Sequence, residues 1–212
     1  MEDFIVTKYK TEQEAFWAGQ FGDEYIKRND SETLISSNMA MFTKILNGTN
    51  QVKSIIEFGA NIGLNLIALK TLFPKIELSA IEINQQAVMG LKKLGEEIKI
   101  YTQSILDFIP DYKRDFVLTK CVLIHIDPNC LQDVYDKLYQ TSKRYICVAE
   151  YYNQFPIEVS YRGHDGKLFK RDFAGEMLDK FKDLSLIKYG FVYHRDLSFP
   201  QDDISWFLLE KK

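Results

Sequence analysis

Hydrophobic positions along the chain recur with two spacings, and stretches of the two kinds alternate. Short apolar runs typical of buried β-strands occur seven times. Between most of them, apolar residues recur every three to four positions, which is typical of amphipathic helices. The predicted strands are 54–58, 77–83, 98–101, 115–119, 145–149, 184–194 and 204–210. The predicted helices are 35–46, 63–73, 85–96, 128–138 and 173–181.

This alternation predicts βαβ units, and therefore a parallel sheet with helices on both faces. The last two predicted strands are separated by only the nine residues 195–203. A parallel crossover needs a dozen residues or more, so this pair is predicted to be antiparallel. The expected fold class is α/β, a doubly wound seven-stranded sheet that ends in an antiparallel C-terminal hairpin.

The N-terminal part of the sequence has a regular pattern only from the first predicted helix onwards. The first thirty residues show no regular pattern. They contain a cluster of aromatic residues, Phe16, Trp17, Phe21 and Tyr25. Asp30 and Ser31 offer N-caps for the first predicted helix, and Gly48 offers its stop.

Composition restricts the partners that the protein can take. The chain has 27 Lys+Arg against 30 Asp+Glu and a net charge of -3, which argues against nucleic acid as a partner. No run of about 18 apolar residues is present, so no membrane span is predicted. The N-terminus does not resemble a signal peptide. We therefore predict a cytoplasmic protein, and the oligomeric state stays open.

The cysteines and histidines do not form a recognisable metal or disulfide pattern. The three cysteines, Cys121, Cys130 and Cys147, lack CxxC spacing. None of the three histidines has a second ligand four residues after it. Neither a metal site nor a disulfide framework is predicted.

The most informative residues lie between the first predicted strand and the first βαβ helix. They read Glu57-Phe-Gly59-Ala-Asn61-Ile-Gly63. Glycines at this point let the backbone turn tightly and approach a ligand closely. The pattern matches only one glycine of a GxGxxG dinucleotide fingerprint, which disfavours an NAD oxidoreductase. It fits a compact ligand without a pyrophosphate, with Glu57 accepting hydrogen bonds around a cationic amine.

A second carboxylate follows 25 residues later, since Glu82 ends the second predicted strand. An acidic residue at that place can accept hydrogen bonds from both hydroxyls of a ribose. A glycine turn and such an acid on consecutive βαβ units together predict a nucleoside-binding site.

These residues resemble the class I S-adenosylmethionine (SAM)-dependent methyltransferases, whose glycine motif is Glu/Asp-x-Gly-x-Gly-x-Gly. Glu57, Gly59 and Gly63 match, whereas Asn61 replaces the middle glycine; asparagine tolerates positive φ well. The resemblance implies a Rossmann-like fold, SAM as cofactor and Glu82 as the ribose acid. The family's adenine acid is absent, so Ser104 or Asp107 takes that role.

A closer resemblance covers nearly the whole chain. The segments 16–25, 161–165, 169–174 and 193–196, together with Arg28-Asn29, are similar to methylases associated with pseudaminic acid biosynthesis. This implies a helical cap over 1–48, a catalytic core over 49–212 and an acceptor that is an acidic sugar. The implied cofactor site contains Trp17, Tyr25, Arg28, Glu57, Gly59, Ala60, Asn61, Gly63, Glu82, Ile83, Ser104, Ile105 and Cys121.

Candidates for the acceptor side come from two segments. His125 follows the fourth strand and His164 lies in the long polar segment 153–172; each is a candidate general base. Cations of that segment would clamp an anion and tyrosines would stack on a sugar ring. The candidate substrate residues are Tyr151, Tyr161, Arg162, Lys170 and Arg171.

The predicted function is methyl transfer from SAM to a hydroxyl of an acidic sugar or its nucleotide conjugate. Three alternatives stay open. The acceptor can be another small molecule or an amine. The protein can also bind SAM without catalysis, because fold does not imply function. An NAD oxidoreductase is disfavoured by the glycine pattern.

Overall fold

The computed structural model describes residues 9–28 and 32–212 of the 212-residue chain. Seven α-helices are present in these ranges: α1 Glu12–Ala18, α2 Gln20–Arg28, α3 Glu32–Leu46, α4 Leu64–Leu72, α5 Gln85–Lys92, α6 Leu131–Thr141 and α7 Phe173–Lys180. The nine strands of the same ranges are β1 Ser54–Phe58, β2 Glu77–Glu82, β3 Lys99–Thr102, β4 Arg114–Lys120, β5 Ser142–Glu150, β6 Ile157–Glu158, β7 Phe169–Lys170, β8 Leu184–Val192 and β9 Ile204–Lys211.

Seven of the strands form one mixed sheet in the order β3-β2-β1-β4-β5-β9-β8. The first five strands are parallel, whereas β9 is antiparallel to both β5 and β8. This confirms the predicted doubly wound sheet with its antiparallel C-terminal hairpin. The strand order reverses between β1 and β4, and ligands of such sheets bind beyond the carboxyl ends of the strands at that point.

Helices cover both faces of the sheet, because successive residues of a strand point to opposite sides. In β1, Ile55 packs into one hydrophobic cluster and Ile56 into the other. The first cluster receives Phe42 of α3, Leu69 of α4 and Leu91 of α5. The second cluster receives Tyr135 and Leu138 of α6, and Phe173 and Met177 of α7. Two buried cores thus hold β1 and β4 in the centre of the sheet.

The N-terminal part is more regular than the sequence indicated. The expectation that the first thirty residues lack a regular pattern is wrong, since α1 and α2 lie there. Thr11 caps α1 in a capping box with Glu14, each side chain bonding the other's backbone N–H. Stacking of Phe16 on Phe21 joins the two short helices. The proposed caps Asp30 and Ser31 lie outside the described residues.

Most other boundaries agree with the pattern to within three residues; β5 begins at Ser142 rather than at 145, and α3 at Glu32 rather than at 35. Three further differences concern α5, the start of α6 and the segment 153–172. Helix α5 ends at Lys92 rather than at 96, because the chain closes there into tighter turns. The helix predicted from Pro128 begins as a 3₁₀ turn, Pro128–Cys130, before α6. The segment 153–172 contains a hairpin of β6 and β7, whose two-residue strands are too short to show a pattern.

Candidate functional site

A cavity of about 460 Å³ lies beyond the carboxyl ends of β1 to β4. Residues directly after β1 and β3, and at the ends of β2 and β4, form its floor. Helices α1, α2 and α3, the first turn of α4, the N-cap of α5, the segment after β4 and the loop between β8 and β9 also contribute to its lining. The described residues that the sequence predicted for the cofactor and that line this cavity are Trp17, Tyr25, Gly59, Ala60, Asn61, Glu82, Ile83, Ser104, Ile105 and Cys121.

The glycine loop after β1 turns through left-handed backbone conformations. Gly59, Asn61 and Gly63 have φ angles of 74°, 49° and 86°. A Cβ on Gly59 would lie 2.6 Å from Cγ2 of Val122, so a side chain there would collide with the opposite wall. Asn61 thus adopts the positive φ that a middle glycine would otherwise supply, at little steric cost for an asparagine.

Glu82 is held at the cavity floor by the backbone on either side of it. Its Oε2 accepts a hydrogen bond from the N–H of Asn61 at 2.7 Å, and its Oε1 accepts one from the N–H of Asn84 at 2.7 Å. Burial raises the pKa of this carboxyl, although the backbone N–H groups oppose the shift. Because each carboxylate oxygen has a further lone pair, both can still accept a ligand hydroxyl.

Glu57 does not line the cavity but contacts a residue that does. It is fully buried, and Nδ2 of Asn65, a lining residue, donates to its Oε1 at 2.5 Å. Its other carboxyl oxygen has no partner among the described residues. Burial raises the pKa of Glu57 to about 8. Like Glu57, Gly63 does not itself line the cavity.

Beyond β3, the cavity is bounded by Ser104 and by a carboxylate from α1. The Ser104 hydroxyl donates to Glu14 and accepts a hydrogen bond from the N–H of Leu106 at 2.9 Å. Both Ser104 and Glu14 line the cavity. Asp107, the other predicted candidate, lies outside the lining and pairs with Lys10 at 2.5 Å. A carboxylate from α1, that of Glu14, therefore lies beside Ser104 at the part of the cavity beyond β3.

His125 lines the cavity as a neutral imidazole. Its Nδ1 lies 2.6 Å from the carbonyl oxygen of Lys167, so Nδ1 carries the hydrogen and Nε2 stays an acceptor. Burial lowers the pKa of His125 to about 4. His125 is thus a weak hydrogen-bond acceptor at neutral pH.

A buried carboxylate holds the segment that carries His125. Glu150, at the end of β5, accepts hydrogen bonds from the backbone N–H groups of Val122 and Leu123 and from the hydroxyl of Thr119 at 3.0–3.1 Å. Burial raises the pKa of Glu150 to about 7, against the effect of these donors. The hydrogen bonds to Glu150 therefore fix the position of the loop after β4.

Aromatic rings enclose the cavity on the side of the N-terminal helices. The ring centroid of Trp17 lies 4.4 Å from that of His125 and 5.1 Å from that of Tyr25. The ring of Tyr161 lies 5.0 Å from His125 and 6.3 Å from Trp17. Arg28 does not line the cavity; its guanidinium lies 5.8 Å from the ring of Tyr25.

The candidate substrate residues lie around the cavity rather than in its lining. The Tyr151 hydroxyl donates to Asp202, a lining residue, at 2.8 Å, and burial raises its pKa. Arg162 is exposed near the ring of Tyr161, and Lys170 lies 5.3 Å from the ring of Tyr151. Arg171 pairs with Glu176 of α7 at 2.9 Å. The three predicted cations are therefore not gathered into one clamp.

His164, a candidate base, and Cys121, a candidate cofactor residue, lie in different environments. His164 lies outside the cavity, exposed, with its ring 5.0 Å from Phe16 and 5.5 Å from Phe21. Cys121 lines the cavity with a positive φ of 55°, and burial raises the pKa of its thiol to about 12. The thiol is therefore protonated, and Cys121 is not a nucleophile at neutral pH.

Sequence reasoning missed several polar residues of the cavity wall. They are Glu14, Asn38, Asn65, Asn84, Gln201 and Asp202. Asn84 had a local signal, because it stands at the N-cap of α5 two residues after Glu82. Gln201 had none, since its partner, the carbonyl of Ser37, lies 164 positions away in the chain.

Within the ranges 9–28 and 32–212, no group of His, Cys, Asp and Glu side chains is arranged to hold a metal ion. In the same ranges no helix has both the length and the apolar character to cross a membrane.

No family model and no curated protein matches the sequence. Solved structures do match. The 1,6-didemethyltoxoflavin-N1-methyltransferase of Burkholderia thailandensis, with S-adenosylhomocysteine and 1,6-didemethyltoxoflavin bound, is 10% identical, with a TM-score of 0.69 over 94% of this chain and 87% of its own. The chain has the class I SAM-dependent methyltransferase fold.

Two further solved structures show similarity to the same fold. The N-methyltransferase NodS of Bradyrhizobium japonicum WM9, in complex with S-adenosylhomocysteine, is 12% identical, with a TM-score of 0.62 over 89% of this chain and 97% of its own. A SAM-dependent methyltransferase of Archaeoglobus fulgidus is 13% identical, with a TM-score of 0.64 over 92% of this chain and 100% of its own. At these identities the similarity shows the fold alone.

Proposed function

We propose that this protein transfers a methyl group from SAM to a small-molecule acceptor. The observation that carries the proposal is one cavity lined by both elements that a nucleoside requires. These are the left-handed turn at Gly59 and Asn61 and the buried carboxylate of Glu82. The turn follows β1, beside which the strand order reverses, and Glu82 ends the neighbouring strand β2. Ligands of such folds usually bind at this end of the sheet.

The lining fits a polar ligand. Buried polar atoms normally have hydrogen-bond partners, so atoms without one mark places where a ligand can supply it. Several lining residues have an atom without a partner within residues 9–28 and 32–212: Gln13 (Oε1), Trp17 (Nε1), Asn38 (Oδ1), Asn65 (Oδ1) and Gln201 (Oε1). Most of these atoms are acceptors, which suits a ligand rich in amine and hydroxyl donors.

Each part of the cofactor would meet its own group of residues. Glu82 would accept the ribose hydroxyls, and Ser104 with Glu14 would bound the adenine. The turn at Gly59 lets the backbone lie close beneath the amino-acid end. Trp17 and Tyr25 would cover the ligand and exclude water.

When bound, SAM supplies an electrophilic methyl group on its sulfonium. The chain's own contribution is to orient the acceptor against that group, and positioning of this kind supplies roughly 7–11 kcal/mol in favourable cases. His125, with Nδ1–H on the carbonyl of Lys167, presents an acceptor nitrogen with a pKa of about 4. It would orient an acceptor hydroxyl or amine and act only as a weak base. His164 is the second candidate base.

The finer proposal for the acceptor is a hydroxyl of an acidic sugar. It is supported by the sequence resemblance and by two cations that flank tyrosines near the cavity, Arg162 beside Tyr161 and Lys170 beside Tyr151. Arg171 forms an ion pair with Glu176, so fewer cations are available to bind an anionic acceptor than the sequence suggested. Another small molecule or an amine is the alternative acceptor. The cytoplasmic location also stays a prediction.

Transfer is tested with methyl-labelled SAM and a protein-free small-molecule extract of cells that lack the gene. We expect the protein to label a product, and separation on an anion exchanger gives the product's charge. A retained product supports the acidic sugar, whereas a product that flows through supports an amine or neutral acceptor. Binding of SAM without any labelled product would favour a non-catalytic SAM-binding protein and contradict the proposal.

A further inference from the structure

The lining of the cavity has several carboxylates but, among the described residues, one lysine and no arginine. The lining residues with carboxylates are Glu14, Glu82, Asp127 and Asp202. The lysine is Lys120, the last residue of β4, which is half-buried. Arg28, the cation that the resemblance placed in the cofactor site, does not line the cavity. The permanent positive charge of the described lining is therefore that of Lys120.

The ammonium group of Lys120 has no binding partner within residues 9–28 and 32–212, since it forms neither a hydrogen bond nor an ion pair there. Burial raises the pKa of Glu57, and the hydrogen bond from Asn65 and the charge of Lys120 oppose this rise. Burial also raises the pKa of the Cys121 thiol, and the charge of Lys120 again opposes the rise. The ammonium group therefore lies near Glu57 and near Cys121, a residue of the cavity lining.

Lys120 and Ser104 lie at opposite ends of the cavity. The sheet order β3-β2-β1-β4 separates the ends of β3 and β4 by three strand spacings, roughly 14 Å in total. Ser104 follows β3 and Glu82 ends β2, so a nucleoside bound by these two residues lies over β3 and β2. The rest of a longer ligand then extends over the turn after β1 towards the end of β4. Lys120 is thus placed to meet the end of the ligand that is farthest from the base.

We propose that Lys120 binds the carboxylate of the cofactor's amino-acid end and makes the site selective for cofactors that carry this carboxylate. This inference rests on the proposed function, because it assigns a part of SAM that Glu82 and Ser104 do not hold. SAM carries a positive sulfonium, a positive ammonium and a negative carboxylate. The carboxylates of the lining suit the two positive groups, and Lys120 suits the negative one. A hydrogen bond between an ammonium and a carboxylate is also stronger than one between neutral groups.

The test is calorimetric titration of two ligands that differ in the carboxylate alone, S-adenosylhomocysteine and its carboxamide. The wild type should bind the carboxamide about 30-fold more weakly, because a hydrogen bond between charged groups is lost. Lys120→Met should bind S-adenosylhomocysteine about 30-fold more weakly than the wild type does, and should bind both ligands equally well. Lys120→Arg keeps the charge and should retain most of the preference. No acceptor is present, so the carboxylate concerned is that of the cofactor.

Lys113→Met is the matched control, since it removes the same charge from an exposed position outside the cavity lining and should leave both affinities unchanged. Equal binding of the two ligands by the wild type, a comparison that needs no variant, overturns the proposal. Equal weakening of both ligands in Lys120→Met also overturns it, because Lys120 would then only maintain the shape of the cavity.

Methylthioadenosine, which lacks the amino-acid end, distinguishes these results from a failure of the proposed function. Lys120→Met should bind it as the wild type does. If the wild type binds methylthioadenosine but does not distinguish S-adenosylhomocysteine from its carboxamide, the nucleoside site stands and the role of Lys120 is wrong. If the wild type binds none of the three ligands, the proposed function is itself contradicted, and the role of Lys120 with it.

Discussion

Glu57 is the residue whose chemistry departs most from its ordinary behaviour. It is fully buried; Asn65 donates to one carboxyl oxygen, and the other oxygen has no partner in the part of the chain that the structure describes. Burial raises its pKa from an ordinary 4.5 to about 8. The folded protein therefore holds a proton here that the unfolded chain releases above pH 4.5. The stabilisation from this group is complete below that pH and is lost as the pH rises towards 8.

Glu57→Gln removes this titration while keeping a side-chain oxygen for Asn65. The free energy of unfolding of the wild type, relative to that of the variant, should fall by about 1.4 kcal/mol per pH unit between pH 5 and 8. Denaturant unfolding at several pH values measures it. Glu96→Gln, at an exposed position, serves as the control and should follow the wild type. Parallel profiles for wild type and Glu57→Gln would contradict the raised pKa.

The residues of the glycine loop show how far single positions can be predicted. The sequence indicated Gly59 and Gly63 as turn residues and Asn61 as a tolerated replacement, and all three have positive φ. Glu82 was predicted from its place at a strand end. Glu14 could not be predicted, because its partner Ser104 lies 90 positions away and only tertiary packing joins them.

Among the elements, the α1–α2 pair depends on one side chain of the core. Nδ2 of Asn84 donates to the carbonyl of Trp17 at 3.1 Å and to Oδ1 of Asp23 at 2.9 Å. Its Oδ1 caps α5 by accepting from the N–H of Ala87, and its own N–H bonds Glu82. Asn84 thus connects α1, which carries Trp17, and α2, which carries Asp23, with the strand end that carries Glu82.

Asn84→Asp separates these roles, because it keeps the cap for α5 and removes the donor to α1 and α2. The new carboxylate would face Asp23, so we expect a loss of about 1–3 kcal/mol in stability. Acrylamide should also quench Trp17 more strongly, whereas Trp206 is buried and should give a constant background.

Adding Asp23→Asn restores a donor and an acceptor between the two positions. The double variant should therefore recover most of the stability and the protection of Trp17. If Asn84→Asp leaves quenching unchanged, or if the double variant is no better than the single one, Asn84 does not hold the helices.

The N-terminal elements also mark the limit of pattern reasoning. Helices α1 and α2 are short, and neither has the long apolar repeat that identified α3. They are stabilised by the capping box at Thr11 and by aromatic contacts with distant segments, such as Trp17 with His125. The Thr11-x-x-Glu14 capping box is a local sequence signal, whereas local sequence carries no signal for the aromatic contacts.

At the scale of the whole molecule, the alternation of strands and helices was sufficient to predict the sheet. Strong apolar runs such as Ile55-Ile56 fix the strands, and the short connection before β9 fixes the antiparallel end. The lining of the cavity cannot be predicted in the same way. It includes side chains from α1, α3 and the β8–β9 loop that meet only in the folded chain.

The central claim is that the cavity beyond β1 and β2 binds SAM through Glu82. Calorimetric titration of SAM tests it most directly. We predict binding of SAM at one site per chain. The affinity should be about 100-fold lower in Glu82→Ala, because charge-assisted hydrogen bonds to the ribose are lost. Asp107→Asn should bind SAM like the wild type, because the carboxylate of Asp107 lies outside the cavity. No heat of binding to the wild type, or equal affinity in a folded Glu82→Ala variant, would contradict the account.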